Sequence, residues 1–158
     1  MNSGNLHIKS CTSSSDFKAA RQLTIAYMEW LGMDLFFQDT AAEFKTFQNM
    51  YGSPQGEFLL LFEDEQIIGG VGVRKWKESI CEMKRLYVYP NYQGQGYGRL
   101  LCERIIASAK QLGYSAMRLD TVDRLEQAIG LYKTMGFYEI DQYCVNPDPT
   151  ARFFELKL

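Results

Sequence analysis

Gln93-Gly94-Gln95-Gly96-Tyr97-Gly98 is the stretch whose residue types and spacing are best suited to chemistry. Its glycines stand at alternate positions just ahead of an apolar run with helical periodicity, Arg99 to Leu112. Glycine admits φ > 0 and lets backbone N–H groups approach a ligand with no Cβ in the way. The first N–H groups of a helix lack intrahelical partners and lie at the positive end of its dipole. Such a loop is an anion site, suited to a phosphate or pyrophosphate.

What the loop lacks narrows the ligand. No Gly-Lys-Ser or Gly-Lys-Thr occurs, so a Walker loop is excluded. A G-x-G-x-x-G dinucleotide fingerprint begun at Gly94 needs its third glycine where Arg99 stands. Asp120 lies about where the ribose-binding acid of that fold would be, but the elements upstream are wrong for it.

Those elements read as follows. Leu6 to Cys11 alternates as a strand, and Thr12 to Asp16 offers N-caps for a helix with Phe17, Ala20, Leu23, Tyr27 and Leu31 on one stripe, stopped by Gly32. Thr40-x-x-Glu43 reads as a capping box opening a second helix that carries Phe44, Phe47 and Met50. Glu57 to Phe62 and Ile67 to Trp76 form a hairpin, with Gly69-Gly70 marking a bulge. Ile80 to Tyr89 follows antiparallel and feeds the glycine loop. A meander of antiparallel strands ahead of the phosphate loop is what a dinucleotide-binding domain lacks. Beyond the loop and its helix, Tyr114 to Val122 is a strand parallel to Ile80–Tyr89, and Arg124 to Met135 is a helix ended by Gly136. Phe137 to Cys144 and Ala151 to Leu158 are the last strands, joined through Asn146-Pro147-Asp148-Pro149.

Gln93-x-x-Gly96-x-Gly98 after Leu86-Tyr87-Val88 resembles the coenzyme A signature of the GNAT acyltransferases, [RQ]-x-x-G-x-[GA]. Ala128 to Phe137 matches a second element of that family, A-x-x-L-Y-x-x-x-G-F. Together with Glu82-Met83-Lys84-Arg85-Leu86-Tyr87-Val88, Leu119-Asp120-Thr121 and Asn146-Pro147, they are similar to a bacterial subgroup of the family.

The resemblance implies a mixed α/β fold of the GNAT acyl-CoA N-acyltransferase type, a twisted mixed sheet of about seven strands flanked by four helices, with residues 1–158 as one domain. It implies acetyl-CoA as co-substrate and transfer of its acetyl group to a primary amine by direct attack in a ternary complex; a catalytically silent CoA-binding sensor module is the alternative. The pantetheine arm would pair with the main chain at Leu86, Tyr87 and Val88 in the gap where the two parallel strands splay, and the pyrophosphate would lie on Gln93, Gly94, Gln95, Gly96, Tyr97, Gly98 and Arg99. Tyr132 would occupy the general-acid position and Glu82 that of a recurring base, with the Val88 N–H facing the oxyanion; the alternatives are a Tyr132 that only packs in the apolar stripe of its helix and a Glu82 paired with Lys84 or Arg85. Strand alternation would put Glu82, Lys84, Leu86 and Val88 on one face. Tyr27, Trp30 and Phe37 would wall the acceptor site; with Glu29, Asp34, Phe36 and Asp39 they make an aromatic, acidic surface that hints at a cationic acceptor. Leu125 stands where many relatives carry an asparagine that contacts the pantetheine arm.

Composition fits this expectation. At 158 residues the chain can bury a sizeable core, and its formal charge of −2 gives no electrostatic footprint for nucleic acid or an anionic membrane. No apolar run approaches a membrane span, and the start has no signal-like region. Four scattered cysteines without C-x-x-C and a lone His7 argue against a metal site and for reduced thiols in a cytoplasm. Dimers are frequent in the family, so a homodimer is compatible with the resemblance.

Overall fold

The computed structural model describes residues 4–32 and 46–158. Its sheet has seven strands in the order β1-β2-β3-β4-β5-β7-β6. They are β1 (Leu6–Ser10), β2 (Glu57–Glu63), β3 (Gln66–Lys77), β4 (Ile80–Val88), β5 (Ala116–Val122), β6 (Tyr138–Ile140) and β7 (Ala151–Lys157). The helices are α1 (Ser14–Leu31), α2 (described from residue 46 to 50), α3 (Tyr97–Gln111) and α4 (Glu126–Thr134). Every neighbouring pair is antiparallel except β4 and β5, which run parallel on either side of the crossover through α3.

Helix α1 starts where its first turn is held from both sides. The Ser13 hydroxyl accepts from the Asp16 N–H at 3.1 Å, and the Asp16 carboxylate accepts from the Ser13 N–H at 3.2 Å. Lys9 and the Thr12 N–H also bond that carboxylate, at 2.9 and 3.0 Å. Gly32 ends the helix at φ +75°. The expected stripe packs inward, with Phe17, Ala20 and Leu23 buried against Phe58 and Leu60 of β2 and Tyr87 of β4. On the opposite face, Leu101, Cys102 and Ile105 of α3 and Ile129 and Tyr132 of α4 pack against Val73, Met83, Val88 and Phe154. Burying each such large apolar side chain contributes about 1.5–3 kcal/mol. The capping box expected at Thr40–Glu43, and Phe44, lie outside the described residues; Phe47 is buried.

Three local expectations are corrected. Tyr97 and Gly98 already belong to α3, two residues before the expected start at Arg99. The last two strands are not a long hairpin: β6 ends at Ile140, and 141–150 form a loop that folds back over the sheet. The alternation along β4 is broken, because Lys84 pairs with Gly72 and Tyr87 with Gly70, leaving Arg85 and Leu86 opposite Val71. Arg85 takes φ +60°, a left-handed conformation unusual for a non-glycine residue. This bulge flips the side-chain parity: Tyr87 packs with the α1 layer and Val88 with the α3 layer, so Glu82 and Lys84 do not share a face with Leu86 and Val88. Gly70 and Gly72 serve a different purpose, close approach, since a Cβ on Gly72 would lie 2.7 Å from the Tyr51 ring.

Candidate functional site

The bulge and the short pairing of β4 with β5 create the site together. Only Ile80, Cys81 and Glu82 pair with β5, against Ala116, Met117 and Arg118. Past that point the two strands part. The Tyr89 N–H donates to Ile68 on β3, so by strand alternation the Val88 N–H faces the gap. The glycine loop closes the end of β4. The Gln93 side chain donates to the Val88 carbonyl at 2.8 Å, and Gly94 and Gly96 take φ +80° and +85°. Gly96 is the N-cap of α3 and no side chain caps it, which leaves the first-turn N–H groups directed out of the loop.

A cavity of about 700 Å³ runs from this loop along β4 to the start of α4. Leu86, Tyr87, Val88, Gln93, Gly94, Gly96, Tyr97 and Gly98 line it, as do Tyr27 and Trp30 of α1. Gln95 and Arg99 do not; the Arg99 side chain instead pairs with Glu103 at 2.9 Å. Tyr27, Trp30 and Tyr87 form an aromatic corner, with Tyr87 5.3 Å from Tyr27 and 5.5 Å from Trp30 between ring centroids. Arg124 donates to the Leu31 carbonyl and ties the end of α1 to the approach to α4. Phe37, Asp34, Phe36 and Asp39 lie outside the described residues.

A second, smaller cavity of about 40 Å³ lies in the gap between β4 and β5. It shares Tyr27, Leu31, Leu86, Leu125 and Tyr132 with the first, so the two meet at these side chains. Tyr132 is 7% exposed, packs near Phe137 and Phe154, and its hydroxyl has no hydrogen-bond partner among the described residues. Burial, reinforced by Tyr27, Cys102 and Asp120, raises its pKa well above the ordinary phenol value, so it holds its proton at neutral pH.

Behind the small cavity lies a buried polar network, of which sequence reasoning offered only the pairing of Glu82 with Lys84 or Arg85. Glu82, 1% exposed, accepts from Arg74 at 3.1 Å and from the Tyr143 hydroxyl at 2.7 Å, with the Lys84 ammonium 3.9 Å away. Lys84 donates to Asp120 Oδ1 at 3.1 Å, and Asn146 donates to Asp120 Oδ2 at 3.0 Å. Burial pushes the Asp120 pKa up, but the charge and hydrogen bond of Lys84, the Asn146 bond and the Arg85 charge outweigh it and hold the carboxyl below its usual range. Glu82 lines neither cavity, whereas Lys84, Arg85, Asp120 and Asn146 line the small one. Ligand atoms of Glu82, Asp120 and Cys144 lie within 4.8 Å of one another. The Lys84 ammonium already supplies a cation to both carboxylates there. The available signal was Glu82, Lys84 and Arg85 within one strand: charges in a strand that is otherwise apolar must find partners.

The family model described as acetyltransferase (GNAT) family matches residues 24–137. An uncharacterised N-acetyltransferase of Schizosaccharomyces pombe is 37% identical over 161 residues, covering 100% of this chain and 98% of that protein. An acetyltransferase of the GNAT family from Staphylococcus aureus has the same fold, with a TM-score of 0.81, 18% identity and coverage of 97% of this chain and 99% of that one. So does the PaiA N-acetyltransferase of Thermoplasma acidophilum, solved in complex with coenzyme A, with a TM-score of 0.73, 19% identity and coverage of 98% and 99%. No helix among the described residues is long and apolar enough to cross a membrane. The match across 24–137 spans both the glycine loop and Tyr132, and with a relative alike over the whole chain it settles the kinship: the chain belongs to the acetyltransferase (GNAT) family and is an acyltransferase.

Proposed function

We propose that residues 1–158 act as one N-acetyltransferase domain that moves the acetyl group of acetyl-CoA to a primary amine within a ternary complex. The observation that carries this reading is the Tyr132 hydroxyl, unpartnered among the described residues, at the meeting point of a long cavity and a short one. The long cavity suits a nucleotide-tailed cofactor: a glycine-lined helix start at one end for the pyrophosphate, and an unpaired strand edge for the amide-bearing arm. A relative by fold solved with coenzyme A supports the same assignment. Gln93, Gly94, Gly96, Tyr97 and Gly98 would hold the phosphates through the backbone, and Leu86, Tyr87 and Val88 the arm. Gln95 and Arg99, which lie off the cavity, would contribute only through the chain. Four free thiols, three of them buried, accord with a reducing cytoplasm.

In the reaction the neutral amine attacks the thioester carbonyl carbon and the C–N bond forms. The Val88 N–H faces the developing oxyanion. As the C–S bond breaks, Tyr132 gives its proton to the departing sulfur, and the proton lost from nitrogen restores the phenol. A lysine-like amine must first shed a proton, at a cost of about 4–5 kcal/mol at pH 7. Glu82, sealed behind Lys84, would act there as a positioning residue that fixes Lys84 and, through it, Asp120. The test is a thermal-shift comparison followed by thiol detection. Coenzyme A at about 100 times its Kd should stabilise the protein by about 2.7 kcal/mol, NAD should not, and acetyl-CoA should release thiol only when an amine is added. Stabilisation by NAD alone would overturn the ligand assignment. Coenzyme A binding without release across an amine panel would leave a silent binding module.

A further inference from the structure

Resting on the transferase reading above, the small cavity defines the kind of amine. At about 40 Å³ it is a small annexe to the 700 Å³ cavity that it meets. It borders Tyr132, so whatever fills it sits beside the position of the departing sulfur. Of the two carboxylates in the buried network, only Asp120 lines it. That carboxylate accepts one hydrogen bond on each oxygen, from Lys84 and from Asn146, and these are its bonds among the described residues. A carboxylate has about four acceptor positions, so Asp120 keeps capacity for a further donor. The side chain is 6% exposed, which means that a donor reaching it must come through the cavity.

We infer that Asp120 binds the acceptor nitrogen in this cavity, and that the acceptor is the slender end of an unbranched primary alkylamine. An amino group on a methylene fits such a space. An α-amino group is disfavoured, because its carbon carries a carboxylate that would be brought against Asp120. One N–H on Asp120 leaves the nitrogen lone pair for the thioester carbon. Asn146 places the loop 141–150 over this end of the gap, so Asp120 also fixes the far wall of the site.

The test uses the full chain with acetyl-CoA and thiol detection, comparing n-butylamine and 1,4-diaminobutane with glycine and alanine. The alkylamines should be favoured by at least about tenfold in kcat/KM, the worth of one methylene-sized misfit or one lost bond to a charged group. Asp120→Asn should raise the acceptor KM by about ten- to a hundredfold while the KM for acetyl-CoA stays unchanged. Lys84→Met with Asp120→Asn preserves the net charge of the network. If Asp120 served only as the partner of Lys84, this double variant would regain the normal acceptor KM; the expected result is that it does not. Retained coenzyme A affinity reports that each variant is folded. Preference for glycine or alanine, or an unchanged acceptor KM in both variants, overturns the inference and leaves the transferase reading standing. Release with no amine at all from a protein that binds coenzyme A overturns both.

Discussion

Glu82 and Asp16 are buried acids whose partners set what each does. Glu82 is held by Arg74, Tyr143 and Lys84 and has no wall on either cavity, so its removal should be felt as lost order before lost proton transfer. Glu82→Gln is expected to cost about 1–3 kcal/mol in denaturant unfolding, because the charges of Arg74 and Lys84 lose a buried counterpart. Its kcat deficit should persist at high pH. A deficit erased at high pH, where the free amine is already neutral, would instead make Glu82 the base. Asp16 is held well below the ordinary carboxylate range by the Thr12 N–H, by Lys9 and by Ser13. A depressed folded pKa contributes stability that is present above the unfolded value, near 3.9, and is lost as pH falls through the folded one. Asp16→Asn should therefore lower stability by about 1 kcal/mol at pH 7. The gap between the two proteins should shrink below about pH 4; a gap independent of pH would deny the charge any role.

At the scale of elements, two glycines carry opposite demands. Gly72 lies in β3 beneath the rings of Tyr51 and Phe58, at 2.7 and 2.8 Å from where a Cβ would be. Gly72→Ala should destabilise by about 1–3 kcal/mol through overpacking, read as a lower urea midpoint with an unchanged slope. Gly96 has nothing within 4 Å of its Cβ position, but it holds φ +85° at the start of α3. Gly96→Val should leave the core intact and abolish coenzyme A binding, since a branched Cβ both opposes that φ and fills the approach to the first-turn N–H groups. Undiminished coenzyme A affinity in that variant, by calorimetric titration, would remove the phosphate site from the loop. The bulge in β4 makes a third demand, met without glycine: Arg85 adopts φ +60° and turns the strand edge away from β5.

Across the whole molecule, what was legible in the sequence was what local chemistry dictates. The glycine loop, the capped start of α1 and the hairpin of β2 with β3 are set by neighbours in the chain, and their residues announce them. The residues expected to bind the cofactor followed from the family resemblance, and eight of the ten line the large cavity. The bulge was illegible because nothing in Arg85 distinguishes it from a residue in regular strand, and one extra residue was enough to put Leu86 and Val88 on the other face. The network was legible only as a pairing of Glu82 with its strand neighbours: Tyr143 reaches Glu82 across 61 positions, from a stretch that strand periodicity had read as more of β6, and Asn146 reaches Asp120 across 26 from the loop beyond it. These long-range contacts turn two parted strands into a short cavity that meets the long one at Tyr132. That meeting is the central claim, and single-turnover kinetics of Tyr132→Phe test it most directly. The ring still packs near Phe137 and Phe154, so coenzyme A affinity should hold while the rate of acetyl transfer falls by about 10²- to 10⁴-fold. A Tyr132→Phe enzyme that transfers acetyl at the full single-turnover rate would contradict the account and leave Tyr132 a packing residue.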